Sequence, residues 1–208
     1  AYVLWLGTNP DPDNPEFRYG YASLTTPTTH YALDMVSGER KMLKRQPVLG
    51  DFKPEHYQSQ RLWVAARDGT QIPVSLVYRK DNYQPGQNPL LVYGYGAYGM
   101  SEEPYFASSR LSLLDRGFIF AIAHVRGGEE LGRHWYEQGR QLQKMNSFTD
   151  FIDATEGILA AGYGDPARVF ASGGSAGGLL MGAVVNMAPQ RYLGVVAVVP
   201  FVDTLTSM

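Results

Sequence analysis

Residues 173–178 read Gly173-Gly174-Ser175-Ala176-Gly177-Gly178, and no other run constrains the chain as much. The apolar triplet Val169-Phe170-Ala171 leads into it, and an apolar stretch from Leu179 to Met187 leads out. A strand, a tight turn and a buried helix are therefore predicted in immediate succession. Five of the six residues are Gly or Ala, which lets the backbone take a turn that larger side chains would block. Such a turn lifts its one hydroxyl clear of the sheet. The N-terminus of the helix adds positive potential, and the Ala176 amide points to where an oxyanion would form. The plainer alternative is a glycine-rich turn that only lets a helix pack closely on a strand. A phosphate cradle would need Gly-Lys followed by Ser or Thr, which is missing. With strand and helix both in register, Ser175 is expected to be a nucleophile.

The surrounding pattern is α/β. Leu90–Tyr93, Phe118–Ala123 and Val195–Val199 are short apolar runs without alternation, the mark of strands buried on both faces. Between them, Phe148, Phe151, Ile152, Thr155 and Leu159 fall on one helical face, and Ser147 with Asp150 reads as a capping-box start. Strands alternating with helices imply βαβ units and a largely parallel sheet. Upstream, Leu62–Ala65 and Ile72–Tyr78 are joined through Asp68-Gly69, a hairpin signal. Residues 1–50 read as β. Tyr31–Met35 and Arg40–Lys44 flank a Val36–Glu39 turn, Thr8–Asn14 is a loop, and residues 50–60 look like a connector. The first strands fit the last unit of a repeat array.

Composition removes several function classes. Hydrophobic residues make up 44% and aromatics 12%, enough for a buried core. A formal charge of −2 argues against nucleic acid or an acidic membrane as partner. The absence of cysteine excludes disulfides, thiolate metal sites and a cysteine nucleophile. No apolar run reaches the ~18 residues of a transmembrane helix. The chain opens on Ala1-Tyr2-Val3-Leu4-Trp5, like the inside of a strand, with no initiator Met or signal peptide. A piece of a longer polypeptide is therefore expected.

A second constellation, Tyr93-Gly94-Tyr95-Gly96-Ala97-Tyr98-Gly99, directly follows a predicted core strand. In a fold with such a nucleophile turn, this loop supplies the other half of the oxyanion site, and a tyrosine hydroxyl can serve there. An aromatic-packed turn is the alternative. The four histidines, His30, His56, His124 and His134, all precede Ser175, whereas this arrangement runs Ser, acid, His along the chain. Each is therefore expected to be structural. Asp203 follows the next strand, one too early for the acid.

Taken together, these stretches resemble the prolyl oligopeptidase family of serine peptidases, in its oligopeptidase B branch. The matching segments are Arg67-Asp68-Gly69 with Pro73–Val77, Asn88–Gly96, Arg110–Gly117, His124–Gly128, Gly173–Gly178 and Pro200–Asp203. The resemblance implies an incomplete α/β-hydrolase, a mostly parallel sheet flanked by helices, preceded by terminal strands of a β-propeller. It divides the chain into propeller end (1–45), connector (46–60) and the first part of the catalytic domain (61–208). It implies Ser175 as nucleophile, Tyr95 and the Ala176 amide as oxyanion donors, and Tyr98 near the first specificity pocket. Oligopeptidase B cleaves after Arg or Lys by way of acidic residues. One acidic pair falls on Glu103 and Tyr105, so its second member is not acidic here, though Glu102 adjoins. Glu129 stands where the family usually has a third glycine. The catalytic Asp and His, and the main acids of the first pocket, are expected beyond Met208. No metal or cofactor is implied. Expected partners are short peptides and the rest of the polypeptide or an associated chain, in the cytoplasm. The rivals are another peptidase or esterase of the family, or an inactive fragment.

Overall fold

The computed structural model describes residues 1–203. Two sheets carry the chain. The first is an antiparallel meander in chain order, β1 (Tyr2–Leu6), β2 (Glu16–Ser23), β3 (Thr29–Asp34) and β4 (Arg40–Arg45). The predicted β3–β4 turn is present. Asp34 Oδ1 accepts the Val36 and Ser37 amides at 2.8 and 2.9 Å, an Asx-type turn.

The second sheet is built from β5 (Tyr57–Ala65), β6 (Gln71–Arg79), β7 (Leu90–Tyr93), β8 (Ile119–Ala123), β9 (Val169–Gly174) and β10 (Gly194–Val198). Its order is β10-β9-β7-β8-β6-β5. The β5–β6 hairpin is antiparallel and β6 pairs antiparallel with β8, while β7 to β10 run parallel. From β7 the chain goes first to one side, into β8, and then to the other, into β9. Such a reversal opens a crevice at the carboxyl ends of the two strands, where ligands bind in open α/β sheets.

The described residues hold four α-helices, α1 (Ser108–Leu114), α2 (Arg133–Glu137), α3 (Met145–Ala160) and α4 (Ala176–Met187), of which α1, α3 and α4 pack on the sheet. On one face Phe151, Ile158, Leu180, Met181 and Val184 pack on Ile72, Val74, Leu90 and Val92. On the other, Leu114 packs with Val77, Phe120 and Ile122. All five β8 residues are buried, as a run without alternation predicts.

Two local expectations are corrected. The α3 helix begins at Met145, so Ser147 and Asp150 lie inside it and are not its cap. Both are fully buried and bond to Arg126 instead, because a partner brought in by the fold offers more than a helix end does. The α4 helix is not covered all round, since Val185 and Met187 are exposed. Among the described residues β10 lies at the end of the sheet order, with Val196 and Val198 more than half exposed. No helix among the described residues is long and apolar enough to cross a membrane.

Candidate active site

Ser175 sits between β9 and α4 with φ 53° and ψ −115°, exposed to solvent. A non-glycine residue there is strained, and the surroundings must hold it. They do so through the backbone. The Ser175 amide donates to the Val198 carbonyl at 2.9 Å, and the Ser175 carbonyl accepts the Gly178 and Phe201 amides, each at 2.9 Å. The glycines around it are required by contact. A Cβ on Gly173 would lie 2.4 Å from the Gly177 carbonyl oxygen, and one on Gly177 would lie 2.7 Å from that of Gly94. The nucleophile turn and the loop after β7 therefore touch backbone to backbone.

That contact sets Tyr95. Strand pairing places Tyr93 opposite Ser172, and the Gly94 amide donates to the Ser172 carbonyl at 3.1 Å. The half-buried Tyr95 follows, and the nearby Ser175 side chain bears on its phenol. Burial raises the Tyr95 phenol pKa, Tyr98 and Glu102 raise it further, and the Ser175 side chain pulls the other way. The net effect keeps the hydroxyl protonated and able to donate at neutral pH. The Ala176 amide opens α4, beside the Ser175 hydroxyl. A phenol and a helix-terminal amide flanking an exposed serine can stabilise a negatively charged oxygen formed there.

Tyr98, at φ 58° and 70% exposed, stands in the turn beyond Tyr95. It lines a cavity of about 300 Å³ with Ala97, Tyr136, Lys144, Ala176 and Leu179. Glu102 is partly buried. Its amide donates to Glu130 Oε1 at 3.0 Å, and burial, then Glu130, raises its carboxyl pKa. Burial, Glu102 and Tyr95 push the nearby Tyr93 phenol to about 12. Glu103 is exposed, within electrostatic reach of Arg61. Desolvation lowers the Arg61 pKa, against the pull of Glu130 and Glu103. Tyr105 is turned away toward Trp5 of the first sheet, with ring centroids 6.3 Å apart. Ser175, Ala176, Tyr95, Tyr98 and Glu102 thus lie near one another, and Glu103 is exposed within reach of Arg61.

Among the described residues no histidine hydrogen-bonds to Ser175. His124 is buried, with Nε2 2.9 Å from Ser75 Oγ and Nδ1 3.5 Å from Glu130 Oε1. His30 meets Trp5 edge-on in β3. His56 ends a short 3-10 turn, and His134 lies on α2.

Beneath the site lie Arg126 and Asp68, both in segments that carry the family resemblance, and Lys144, which lies in none of them. Arg126 grips Asp150 at 2.5 Å and Asp68 at 2.7 Å. Its carbonyl accepts the Ser147 hydroxyl at 2.5 Å. Lys144 Nζ donates to the Gly96 carbonyl and lies 3.3 Å from Ser147 Oγ. These contacts join residues remote in sequence, so only the pairing of charges in a fold already known could have signalled them.

Residues 104–208 match the profile described as the prolyl oligopeptidase family, and residues 1–46 match that of the prolyl oligopeptidase N-terminal β-propeller domain. The chain belongs to the prolyl oligopeptidase family. Within that family it is 51% identical, over its whole length, to dipeptidyl aminopeptidase BI of Pseudoxanthomonas mexicana, covering 29% of that protein. It is 43% identical over 94% of its length to Protease 2 of Moraxella lacunata, covering 28% of it. Among solved structures, oligopeptidase B from Leishmania major superposes with a TM-score of 0.91 at 43% identity, over 99% of this chain and 29% of that one. Oligopeptidase B from Trypanosoma brucei with covalently bound antipain gives 0.90 at 45%, with the same coverage. The chain thus spans less than a third of the length of these relatives, all of them peptidases by name.

Proposed function

We propose that this chain carries the nucleophile half of a serine oligopeptidase that cleaves short peptides after Arg or Lys through an acyl-enzyme. The observation that carries the reading is the strained, exposed Ser175 at the start of α4, with the Tyr95 loop packed against its turn. In the reaction Ser175 Oγ attacks the scissile carbonyl. Its proton passes to a histidine, and then to the leaving amine. Tyr95 and the Ala176 amide hold the oxyanion. The histidine and its acid partner are assigned to sequence outside these residues. The preference for a basic side chain rests on the oligopeptidase B structures and on the carboxylates Glu102 and Glu103 near the site. Tyr98 is assigned to the wall of the pocket for that side chain. In this reading residues 1–45 end a propeller, 46–60 connect, and 61–208 begin the catalytic domain. A cytoplasmic location belongs to it as well.

The test is covalent labelling of the full-length polypeptide with a fluorophosphonate, mapped by peptide mass. Label on Ser175 that Ser175→Ala abolishes, together with cleavage after Arg or Lys, is expected. Label elsewhere, or none, overturns the reading.

A second reading is favoured by one observation. The relative at 51% identity is named a dipeptidyl aminopeptidase, and the partly buried Glu102 is a carboxylate suited to a free α-amino group. Peptides with free and acetylated N-termini separate the two. Cleavage confined to free termini, two residues in, favours the aminopeptidase.

A further inference from the structure

Lys144 is a partly buried cation with an unusual set of neighbours. Its Nζ donates to the Gly96 carbonyl and lies 3.3 Å from Ser147 Oγ. Ser147 in turn donates to the Arg126 carbonyl at 2.5 Å and lies 3.2 Å from the Gly139 carbonyl. Three segments therefore converge on one ammonium and one hydroxyl: the Tyr95 turn, the Arg126–Gly128 stretch, and the start of α3. The fit is close. A Cβ on Gly127 would lie 2.1 Å from the Gly96 carbonyl oxygen. Among the described residues no carboxylate pairs with Lys144, and its ammonium lies 5.7 Å from the centre of the Phe148 ring. Drawing a charge without a counter-ion even partly out of water is costly, and the carbonyl contact offsets part of that cost.

What the position provides is a charged donor on the peptide next to Tyr95. Gly96 has φ 66°, so the Tyr95 turn is not held by regular strand or helix bonds, and its carbonyl needs a partner. Charge-assisted hydrogen bonds are roughly twice as strong as neutral ones. Resting on the serine peptidase reading above, we infer that Lys144 is a positioning residue: its ammonium holds the Gly96 carbonyl, and through it the Tyr95 hydroxyl, in place for reaction at Ser175.

The hold is pH-dependent. Burial lowers the Lys144 pKa to about 8, so the ammonium gives way to an amine, a weaker donor, within the working range of a peptidase. The other ionisable groups facing it are few. Tyr98, Tyr136 and Arg140 line the same cavity, Arg126 approaches through its carbonyl, and Asp150 on α3 is occupied by Arg126. None offers a carboxylate to keep the charge.

The test compares wild type, Lys144→Arg and Lys144→Met in the full-length polypeptide, by kcat and KM on a basic peptide between about pH 6 and 10, with amide hydrogen exchange over residues 94–99. Arginine stays charged beyond about pH 12, and the adjoining cavity leaves room for it. Wild type is expected to lose kcat with an alkaline limb near pH 8. Lys144→Arg should keep kcat at pH 7 and lose that limb. Lys144→Met should lower kcat about 10²-fold, the effect of a misplaced group, with KM nearly unchanged and faster exchange at 94–99. An alkaline limb that stays put in Lys144→Arg, or unchanged kcat in a folded Lys144→Met, overturns the inference. If wild type turns over no peptide, the functional reading fails by itself, and the exchange arm still decides: equal protection of residues 94–99 in wild type and Lys144→Met overturns the hold.

Discussion

Arg126 and Asp150 meet at 2.5 Å with side chains 4% and 0% exposed. The pair is doubled by Arg126 Nε to Asp150 Oδ2 at 2.8 Å and by the Arg126 amide to the same oxygen at 3.0 Å. The Asp150 hydrogen bond is the main cause of a raised Arg126 pKa. Three donors on one carboxylate tie α3 to the segment lying under the Tyr95 turn.

Removing one member of such a pair strands the other. Asp150→Ala is expected to cost about 3–5 kcal/mol of stability. Asp68→Ala takes away only the exposed partner of the same guanidinium and should cost about 1 kcal/mol or less. Urea unfolding of the two variants, read as a shift in midpoint at constant slope, checks both. Equal losses would mean that the buried contact is no stronger than the surface one.

The strain at Ser175 separates its chemistry from its backbone. Ser175→Ala and Ser175→Gly should both lower turnover by about 10⁶ in the complete enzyme. Only the glycine variant relieves the positive φ, which should stabilise the fold by about 1 kcal/mol. Thermal unfolding of the pair gives the difference. A Ser175→Ala variant with a tenth of the activity would remove this residue from the mechanism.

Two changes probe the oxyanion side from opposite directions. Tyr95→Phe removes one donor and should lower kcat by about 10²–10³, with the fold intact. Gly177→Ala leaves the donor but puts a methyl 2.7 Å from the Gly94 carbonyl oxygen. It should push the Tyr95 turn away and lower kcat by about 10². Steady-state kinetics with a circular dichroism control distinguishes misplacement from unfolding.

Glu103 is expected to favour a second basic residue upstream of the cut. Glu103→Gln should raise KM for dibasic peptides roughly tenfold, about 1.4 kcal/mol, and leave monobasic ones nearly unchanged. Arg61 lies within reach of the same carboxylate. Arg61→Gln should therefore lower the dibasic KM, because a competing internal cation is gone. An equal effect of Glu103→Gln on both peptide classes would reduce that residue to general surface charge.

Burial of Lys144 also leaves a stability signature. Its folded pKa is about 8, whereas an unfolded lysine titrates near 10.4. Between these values the unfolded chain binds more protons than the folded one, so stability rises with pH there. Wild type should gain on Lys144→Met from about pH 8 to 10.4 and run parallel to it below. Denaturant melts of the two proteins at pH 7 and 10 measure the change, and a constant difference would contradict the burial.

What the sequence disclosed is what local backbone chemistry determines. The strand at Val169, the glycine-rich turn and the following helix are written in consecutive residues, and so is the Tyr-Gly alternation after β7. What stayed hidden depends on partners far along the chain. Ser147 and Asp150 have the spacing of a helix cap, yet Arg126 claims both. Lys144 lies in a polar stretch without periodicity, and its role depends on a carbonyl some fifty residues earlier. The insertion of β8 between β6 and β7 likewise leaves no mark in the order of the apolar runs.

The pairing of Tyr93 with Ser172 has a consequence for how such a site can change over evolution. The reach from Tyr95 to Ser175 is counted in residues beyond that pair, along two parallel strands whose rungs come at fixed intervals. A substitution shifts an atom by a fraction of a rung. An inserted or deleted residue between 93 and 95, or between 172 and 175, turns the side chain to the opposite face of the sheet. Length changes should therefore be purged from these two short spans yet pass freely at residues 36–39, the exposed turn between β3 and β4.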